Sequence, residues 1–261
     1  MKLSIITINY NNRNGLQKTI NSVVNQTWHE FEWIVIDCGS TDGSKELIEK
    51  YQEHISYWCS EPDKGIYNAM NKGIAKAEGD YLLFINSGDN LYNERVLEDV
   101  FPYLKEDDFI SGDTVIAHKN GINSYWHSPR HFTIYAIVNY PISHPSTFIS
   151  KRLLKERPYR EDLRIVSDWE QMLYELVFRD ATYHYLPYMV SVFHEDGISH
   201  TNAELAREER QEVLQSVFSK RLHNAILGDN EMKAIVNHIE YGTFQYKLCL
   251  FAIKVIRKLT N

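Results

Sequence analysis

The fold is decided by residues 81–89, which read Tyr81-Leu82-Leu83-Phe84-Ile85-Asn86-Ser87-Gly88-Asp89. The first five residues are apolar without interruption, after which the chain turns polar at once and ends on a carboxylate. Such a run predicts a strand covered on both faces, as in the middle of a parallel sheet. The turn after it would lie at the carboxyl edge of the sheet, where open α/β folds bind ligands. There Asp89 either holds a hard cation or simply closes a turn.

Upstream of this stretch, strand and helix patterns alternate. Strands are predicted at Leu3–Ile8, Phe31–Asp37 and Ile55–Cys59, each followed by a helix whose apolar residues fall on one stripe. Three strand–helix units before Asp89 predict parallel pairing with right-handed crossovers. The expected fold class is therefore α/β, with a Rossmann-like, mainly parallel sheet flanked by helices.

Downstream of Asp89 the alternation stops. The patterns predict helices at Val96–Leu104 and Asp168–Phe178, a hairpin around Asn120-Gly121, and a charged helical region from Ala203 to the C-terminus. Strands are predicted at Phe109–Gly112, Thr147–Ser150, Thr182–Leu186 and Met189–Phe193. No linker rich in Pro, Gly or Ser marks a boundary. We expect one domain over residues 1–200, with halves 1–113 and 114–200, and a helical C-terminal extension over residues 201–261.

The composition narrows the function classes. A net charge of -7 over 261 residues argues against a nucleic-acid binder, which usually has a basic face. Three scattered cysteines suggest neither a disulfide framework nor a zinc site, and favour a reducing, cytoplasmic compartment. The N-terminus enters a strand pattern directly, without a signal peptide, and no apolar run approaches the length needed to span a bilayer.

Polar residues follow each of the first four predicted strands and should converge on one rim of the sheet. They are Thr7, Asn9, Tyr10, Asp37, Asp42, Glu61, Asp63, Lys64, Ser87 and Asp89. A rim rich in carboxylates, with an aromatic ring and a lysine, suits a nucleoside diphosphate held through a cation. The chain has neither a Gly-x-Gly-x-x-Gly after its first strand nor a Walker phosphate loop, which argues against a dinucleotide dehydrogenase and a Walker-type ATPase.

Four ordered segments at these strand ends carry a family resemblance. They are Thr7-Ile8-Asn9-Tyr10-Asn11, Ile36 to Ser44, Glu61 to Gly73, and Asn86-Ser87-Gly88-Asp89. Together they resemble the successive motifs of family 2 glycosyltransferases, and most closely the bacterial surface-polysaccharide branch. The resemblance implies a GT-A fold and inverting transfer of a sugar from a nucleotide-sugar donor to a hydroxyl of a glycan or lipid-linked acceptor. It covers about the first hundred residues closely and extends loosely to about residue 200.

The resemblance also implies which residues bind the donor. Tyr10 would stack on the nucleotide base and Asp37 would accept an imide N–H from it, with Thr7 and Asn9 in the same wall. The donor-binding set implied by the family motifs is completed by Lys64, Asn68, Ser87 and Gly88. Lys64 and Asn68 stand at the start of a helix, whose N-terminus favours anions, and would point toward phosphate or sugar. Tyr10 has the alternative of packing as an aromatic on the sheet rim.

Asp89 is the metal residue that the resemblance implies, with Mn or Mg as the divalent cation. One carboxylate with substrate phosphates and water is enough to bind such an ion. The commoner family pattern has Asp where this chain has Gly88, so the site is one carboxylate short. His194, which follows a predicted strand, is a second candidate ligand, although imidazole suits magnesium less well than oxygen does.

The candidate base is Asp168, the position where the family places a general base. Ser167 and Glu170 have capping-box spacing, so Ser167 is predicted as the N-cap and Glu170 as its backbone partner. Asp168 would then lie in the first helical turn and face the cleft, unless it only complements the helix dipole. His144 and Trp169 are the candidate acceptor contacts.

Residues 241–261 contain four basic and no acidic residues, with an apolar stripe beside a basic one. This pattern permits peripheral contact with the inner face of the cell membrane, or packing on the domain or on a second subunit of a homodimer. Two alternative functions stay open. One is a nucleotide-sugar-binding protein with impaired catalysis, suggested by Gly88. The other is a nucleotidyltransferase, although Thr7-Ile8-Asn9-Tyr10 is not the Gly-rich, Arg-containing loop expected there.

Overall fold

The computed structural model describes residues 2–139, 142–194 and 202–219. Its first half alternates strands and helices as predicted. These elements are β1 (Leu3–Asn9), α1 (Arg13–Val24), β2 (Phe31–Asp37), α2 (Ser44–Lys50), β3 (Tyr57–Ser60), α3 (Ile66–Lys76) and β4 (Tyr81–Phe84). Every residue of β1 and β4 is buried, which is the environment that the apolar run beginning at Tyr81 predicts.

The second half is less regular. Its strands are β5 (Asn90–Leu91), β6 (Phe109–Ala117), β7 (Asn123–Trp126), β8 (Thr147–Ser150) and β9 (Tyr183–His194). Its helices are α4 (Val96–Val100), α5 (Ile134–Asn139), α6 (Lys151–Glu156), α7 (Ser167–Phe178) and α8 (Ala203–Val217). The predicted hairpin is confirmed, because β6 and β7 pair antiparallel on either side of Asn120-Gly121.

The described strands form one sheet in the order β3-β2-β1-β4-β8-β6-β9-β5, and β7 pairs with β6. The strands β3, β2, β1 and β4 run parallel, with Asn9 opposite Asp37 and Asp37 opposite Ser60. Their carboxyl ends therefore lie at one edge, as the strand–helix alternation predicts. Beyond β4 the sheet is mixed: β8 is antiparallel to β4 and β6, whereas β6 and β9 are parallel.

Large apolar side chains fill the space between the sheet and its helices. Trp33, Phe84, Phe109 and Phe148 are at most 1% exposed. Burying an apolar side chain of this kind stabilises the fold by about 1.5–3 kcal/mol. These strands therefore provide a rigid support for the loops at their carboxyl edge.

Two strand predictions were wrong. β6 was expected to end at Asp113 but continues to Ala117, and the two short strands predicted at 182–186 and 189–193 are the single strand β9. β6 and β9 pair on both sides of Asp113, and the register of the pair shifts at this residue. Gly112 permits this close approach, since a Cβ there would lie 2.5 Å from Val190 Cγ2. Tertiary pairing thus overrides the local turn signals.

The chain divides into two compact units, residues 1–210 and 211–261, so the first unit reaches ten residues past the predicted boundary at 200. The stretch 241–261, with its expected membrane or subunit contact, lies outside the described residues. Within the described part of the chain, no helix is both long and apolar enough to cross a membrane.

Candidate active site

Asp37, at the end of β2, is fully buried and organises one side of the rim. Its carboxylate accepts hydrogen bonds from Asn9 Nδ2 at 2.7 Å, from Ser60 Oγ at 2.6 Å, and from both the hydroxyl and the backbone N–H of Ser40. Four donors hold the turn after β2 in one shape. Asp37 and Asn9 therefore brace the rim, and their predicted contact with a nucleotide base stays a prediction.

The two other residues expected in this wall differ in exposure. Thr7 is fully buried, since its Oγ donates to the Ile85 carbonyl at 2.8 Å and accepts from Trp33 Nε1 at 3.0 Å. Thr7 therefore ties β1 to β4 inside the sheet, and its predicted contact with the donor stays a prediction. Tyr10 is 64% exposed, so it does not pack on the sheet rim and its ring is accessible to a flat ligand.

Helix α1 holds the turn Asn86–Asp89 in place. Thr19 Oγ lies 2.6 Å from the Asp89 carbonyl oxygen and 3.1 Å from the Gly88 nitrogen. Asn12 Nδ2 donates to the carbonyl of Ser87 at 3.0 Å. The backbone at Gly88 has φ +110°, a conformation that L side chains rarely adopt. Glycine at this position is thus a requirement of the turn as well as a departure from the family pattern.

Replacing Gly88 by Asp would supply the missing carboxylate, but we expect it to destabilise the fold. We expect Gly88→Asp to lower the free energy of unfolding by about 1–3 kcal/mol, because a side chain strains this backbone. The measurement is denaturant unfolding together with Mn²⁺ titration in the presence of UDP. Gly121→Asp is the matched control, since Gly121 also has positive φ (+80°) and open surroundings in the β6–β7 hairpin. A stable Gly88→Asp protein with tighter Mn²⁺ binding would contradict the prediction.

Asp168 lies in the first turn of α7 and is 25% exposed at its side chain. The Tyr67 hydroxyl donates to Oδ1 at 2.9 Å, and His144 Nδ1 is 3.7 Å from Oδ2. The His144 ring stacks on Phe84, the last residue of β4, with ring centres 4.7 Å apart. The first turns of α3 and α7 therefore meet beside the carboxyl end of β4, where the sequence predicts the site.

Burial controls the protonation of the groups around Asp168. It lowers the pKa of His144, against the opposite pull of the Asp168 carboxylate, so His144 is neutral at pH 7. Burial and the same carboxylate raise the pKa of Tyr67 well above its ordinary range. His144 Nε2 also lies 2.9 Å from the Tyr159 hydroxyl. The two side chains in contact with the Asp168 carboxylate, Tyr67 and His144, are therefore neutral, and the charged group that interacts with it electrostatically is the Arg210 guanidinium.

The predicted capping box is wrong. The N-cap of α7 is Val166, which forms no side-chain cap, and Ser167 Oγ is buried with no hydrogen-bond partner among the described residues. Glu170 accepts from Arg157 Nη2 at 2.5 Å instead of from the helix start. The partly exposed Arg157 thus replaces the local backbone as the partner of Glu170. Asp168 and Glu170, two residues apart on α7, therefore have different partners.

The two candidate acceptor residues are both buried, His144 at 8% and Trp169 at 4% exposure. Trp169 Nε1 donates to the Ile137 carbonyl at 2.7 Å. Trp169 is therefore packed inside the domain, and His144 lies beside Asp168 rather than on an open surface. The contact of either residue with an acceptor stays a prediction.

Lys64 and Asn68 lie at the start of α3, as predicted, but only Lys64 is exposed. Asn68 Nδ2 donates to Glu161 at 2.9 Å, and Asn71 Nδ2 donates to the same carboxylate at 3.0 Å. These bonds tie the loop before α7 to α3. Lys64 is thus the better placed of the two to meet an anion at the helix N-terminus.

The residues near Asp89 fit a cation that arrives with the donor. Among the residues that the structure describes, no group of three His, Cys, Asp or Glu side chains forms a metal-binding cluster. His194 Nε2 lies 3.2 Å from Asn90 Oδ1, next to Asp89 in the chain. Of the described residues other than its chain neighbours, Asn12 alone would come within 4 Å of a Cβ on Gly88, with its Nδ2 at 3.4 Å. One carboxylate completed by phosphate oxygens and water suits Mg²⁺ or Mn²⁺.

Sequence reasoning missed the groups that orient Asp168. Tyr67 lies in the motif from Glu61 to Gly73, at the second position of α3, but no role was predicted for it. Tyr159 lies in a loop with no recognisable pattern, and it reaches His144 only through the tertiary fold. The contact of a buried tyrosine with a distant side chain leaves no pattern in the local sequence. A carboxylate at a strand end, in contrast, follows a recognisable apolar run.

Solved structures share the fold. S. aureus TarS 1–349 in complex with UDP-GlcNAc matches with a TM-score of 0.65 at 22% identity, covering 87% of this chain and 70% of that one. The mannosyltransferase PcManGT from Pyrobaculum calidifontis, in complex with GDP-Man and Mn²⁺, matches with a TM-score of 0.64 at 12% identity, covering 97% and 79%. The α/β fold with its rim is therefore the GT-A glycosyltransferase fold, as predicted.

The sequence profile of glycosyl transferase family 2 matches residues 4–165, more than half of the chain. The protein belongs to this family, which confirms the resemblance carried by the four strand-end motifs.

Curated relatives match over parts of their length. An uncharacterized glycosyltransferase of Mycobacterium tuberculosis (strain H37Rv) is 47% identical over 88 residues, which is 33% of this chain and 34% of the relative. The putative teichuronic acid biosynthesis glycosyltransferase TuaG of Bacillus subtilis is 32% identical over 107 residues, covering 40% and 42%. A PGL/p-HBAD biosynthesis glycosyltransferase of Mycobacterium bovis is 27% identical over 175 residues, covering 64% and 66%.

Proposed function

We propose that the chain is an inverting glycosyltransferase that moves a sugar from a nucleoside diphosphate sugar to a hydroxyl of a glycan or lipid-linked acceptor in cell-surface polysaccharide synthesis. The observation that carries the proposal is the partly exposed Asp168 carboxylate, oriented by Tyr67 and beside neutral His144. Family membership supports the reaction type, and the teichuronic acid relative supports the kind of product. UDP-GlcNAc and GDP-Man, bound by structural neighbours, indicate the class of donor.

In this proposal Asp168 is the general base. Its carboxylate takes the proton of the acceptor hydroxyl while the hydroxyl oxygen attacks the anomeric carbon of the donor. The bond from that carbon to the diphosphate oxygen breaks, and the nucleoside diphosphate leaves with the bonding electrons. A single displacement from the opposite side inverts the anomeric configuration. Tyr67 donates to Oδ1 at 2.9 Å, which leaves Oδ2 to receive the proton.

Neutral His144 matters for the strength of this base. A positive charge 3.7 Å from Oδ2 would stabilise the ionised carboxylate and weaken its affinity for a proton. Burial lowers the pKa of His144 and so keeps that charge away at pH 7. In this proposal the carboxylate that takes the proton therefore has a neutral imidazole beside it rather than an imidazolium.

The donor would lie along the rim formed by β1 to β4. The exposed ring of Tyr10 stacks on the base, and the turn held by Asp37 forms the wall beside it. Lys64, at the N-terminus of α3, faces the diphosphate. Ser87 and Gly88 provide backbone and open space against which the sugar phosphate lies.

The cofactor would be Mn²⁺ or Mg²⁺, held by Asp89 with the donor phosphates, and His194 is the second candidate ligand. When bound, such a cation neutralises the charge that develops on the leaving diphosphate. Asp89 contributes the carboxylate, and α1 fixes its backbone through Thr19. The lipid-linked alternative for the acceptor would place the protein at the inner face of the membrane.

A thermal-shift screen of nucleotide sugars with and without Mn²⁺ tests the donor site. A ligand at a hundredfold excess over its Kd stabilises by about 2.7 kcal/mol, which corresponds to a rise in Tm of about 5 °C or more for a chain of this size. We expect a UDP- or GDP-sugar with Mn²⁺ to give this shift, followed by transfer in a donor-consumption assay. The proposal fails if no nucleotide sugar changes the Tm in the presence of Mn²⁺.

A further inference from the structure

Glu209 of α8 is a buried carboxylate that binds the backbone just before α7. Oε1 accepts from the N–H of Arg164 at 2.7 Å, and Oε2 accepts from the N–H of Ile165 at 2.9 Å and of Val166 at 3.3 Å. The residue is only 7% exposed. Burial of a carboxylate is costly unless hydrogen bonds compensate it, and three successive N–H groups do so here.

Ile165 is held at both its N–H and its carbonyl. The N–H donates to Glu209, and the carbonyl oxygen lies 2.7 Å from the Tyr67 hydroxyl. The same hydroxyl is 2.9 Å from Oδ1 of Asp168. A continuous series of contacts therefore runs from Glu209 through Ile165 and Tyr67 to Asp168.

Helix α7 depends on α8 for its N-terminal support. Neither the N-cap residue Val166 nor Ser167, the first residue of α7, supplies a side-chain cap in the part of the chain that the structure describes. The negative charge of Glu209 lies at this end of the helix, where the dipole favours it. Next to it, the Arg210 guanidinium lies 5.0 Å from the ring centre of Trp169, the residue after Asp168. Two adjacent residues of α8 thus hold the turn that carries Asp168.

We propose that Glu209 is a positioning residue for sugar transfer. It fixes the backbone of residues 164–166 and thereby the orientation of the Asp168 carboxylate against Tyr67, without touching donor or acceptor. The inference rests on the proposed function, in which Asp168 is the base. A purely structural anchor would raise the stability of the fold and leave the turnover of folded protein unchanged.

Glu209→Gln tests this role, because the amide keeps the size of the side chain but has one acceptor oxygen and turns an NH₂ group toward a backbone N–H. We expect kcat to fall about 10- to 100-fold, as for a displacement of about 1 Å at a reacting group. The Kd of UDP or GDP with Mn²⁺, measured by calorimetry, should change less than about threefold. Glu208→Gln, an exposed neighbour on α8, is the matched control and should keep the wild-type kcat.

The effect on kcat must act through Asp168. In an Asp168→Asn background, Glu209→Gln should change the residual rate less than about threefold, because residues that act as a unit are not additive. An equal loss of rate in both backgrounds overturns the proposal. So does an unchanged kcat in folded Glu209→Gln protein.

Hydrogen exchange separates this inference from the proposed function. The amides of residues 164–166 should exchange faster in Glu209→Gln than in Glu208→Gln, whether or not substrate is turned over. A wild-type protein that transfers no sugar would reject the proposed function. Unchanged exchange rates of these three amides would show that Glu209 does not fix the backbone of residues 164–166.

Discussion

Replacing Asp168 by Asn should lower kcat by about 10²–10⁴-fold, the contribution typical of a general base. The amide matches the carboxylate in shape, so the contact from the Tyr67 hydroxyl can persist at the remaining oxygen. The amide takes no proton from the acceptor hydroxyl, and the attack on the anomeric carbon therefore slows. The measurement is the rate of nucleoside diphosphate release at saturating donor and acceptor.

Donor binding distinguishes loss of the base from loss of the fold. The Kd of UDP or GDP with Mn²⁺ should stay near the wild-type value in Asp168→Asn, because the donor rim lies on β1 to β4. Asp162→Asn is the control, since Asp162 is an exposed carboxylate in the loop before α7 and pairs with Arg160. Full activity in folded Asp168→Asn protein would remove Asp168 from the mechanism.

The parallel half of the fold and its rim follow from local sequence. A buried strand such as β4 needs an apolar run, and a strand end needs a polar turn, so both are visible without tertiary information. Asp37 and Asp89 were identified in this way: Asp37 is the last residue of β2, and Asp89 lies in the turn between β4 and β5. The contacts they make with a ligand are predictions that follow from the family.

The support of Asp168 could not be found by the same means. Local spacing favours a capping box at Ser167, yet the actual partners come from distant parts of the chain: Tyr67 lies 101 residues away and Glu209 lies 43 residues from Val166. Such contacts depend on which helices pack together. A glutamate in a charged helix such as α8 is, by pattern alone, a solvent-facing residue.

The extent of the first compact unit has the same explanation. The sequence predicts that the helical extension begins at residue 201, because charge and helical periodicity begin there. In the structure, the compact first unit extends to Arg210. Residues 209 and 210 contact the start of α7, so the first turns of α8 belong with the candidate active site. Periodicity shows that a helix is amphipathic but not which element it covers.

Replacing Asp89 by Asn should abolish the stimulation of transfer by Mn²⁺. The cation would contribute several kcal/mol of charge stabilisation at the leaving diphosphate, so we expect kcat/KM to fall about 10²–10³-fold at saturating wild-type Mn²⁺ concentration. An amide oxygen is a weaker ligand for a hard cation than a carboxylate is. The turn itself should survive, because Thr19 holds the Asp89 backbone rather than its side chain. The measurement is kcat/KM against Mn²⁺ concentration, with calorimetry of UDP binding in the presence and absence of Mn²⁺.

Two further variants sharpen the assignment of Asp89. Asp99→Asn, which alters an exposed carboxylate paired with Arg95, is the control and should keep the Mn²⁺ response. His194→Ala tests the second candidate ligand: the Mn²⁺ concentration for half-maximal rate rises if His194 binds the cation, and it stays unchanged if His194 does not. Because Gly88 leaves one carboxylate in the turn, loss of Asp89 leaves no neighbouring acid in residues 86–90 to replace it. If the Asp89→Asn protein keeps its Mn²⁺ response, the cation therefore binds elsewhere on the rim.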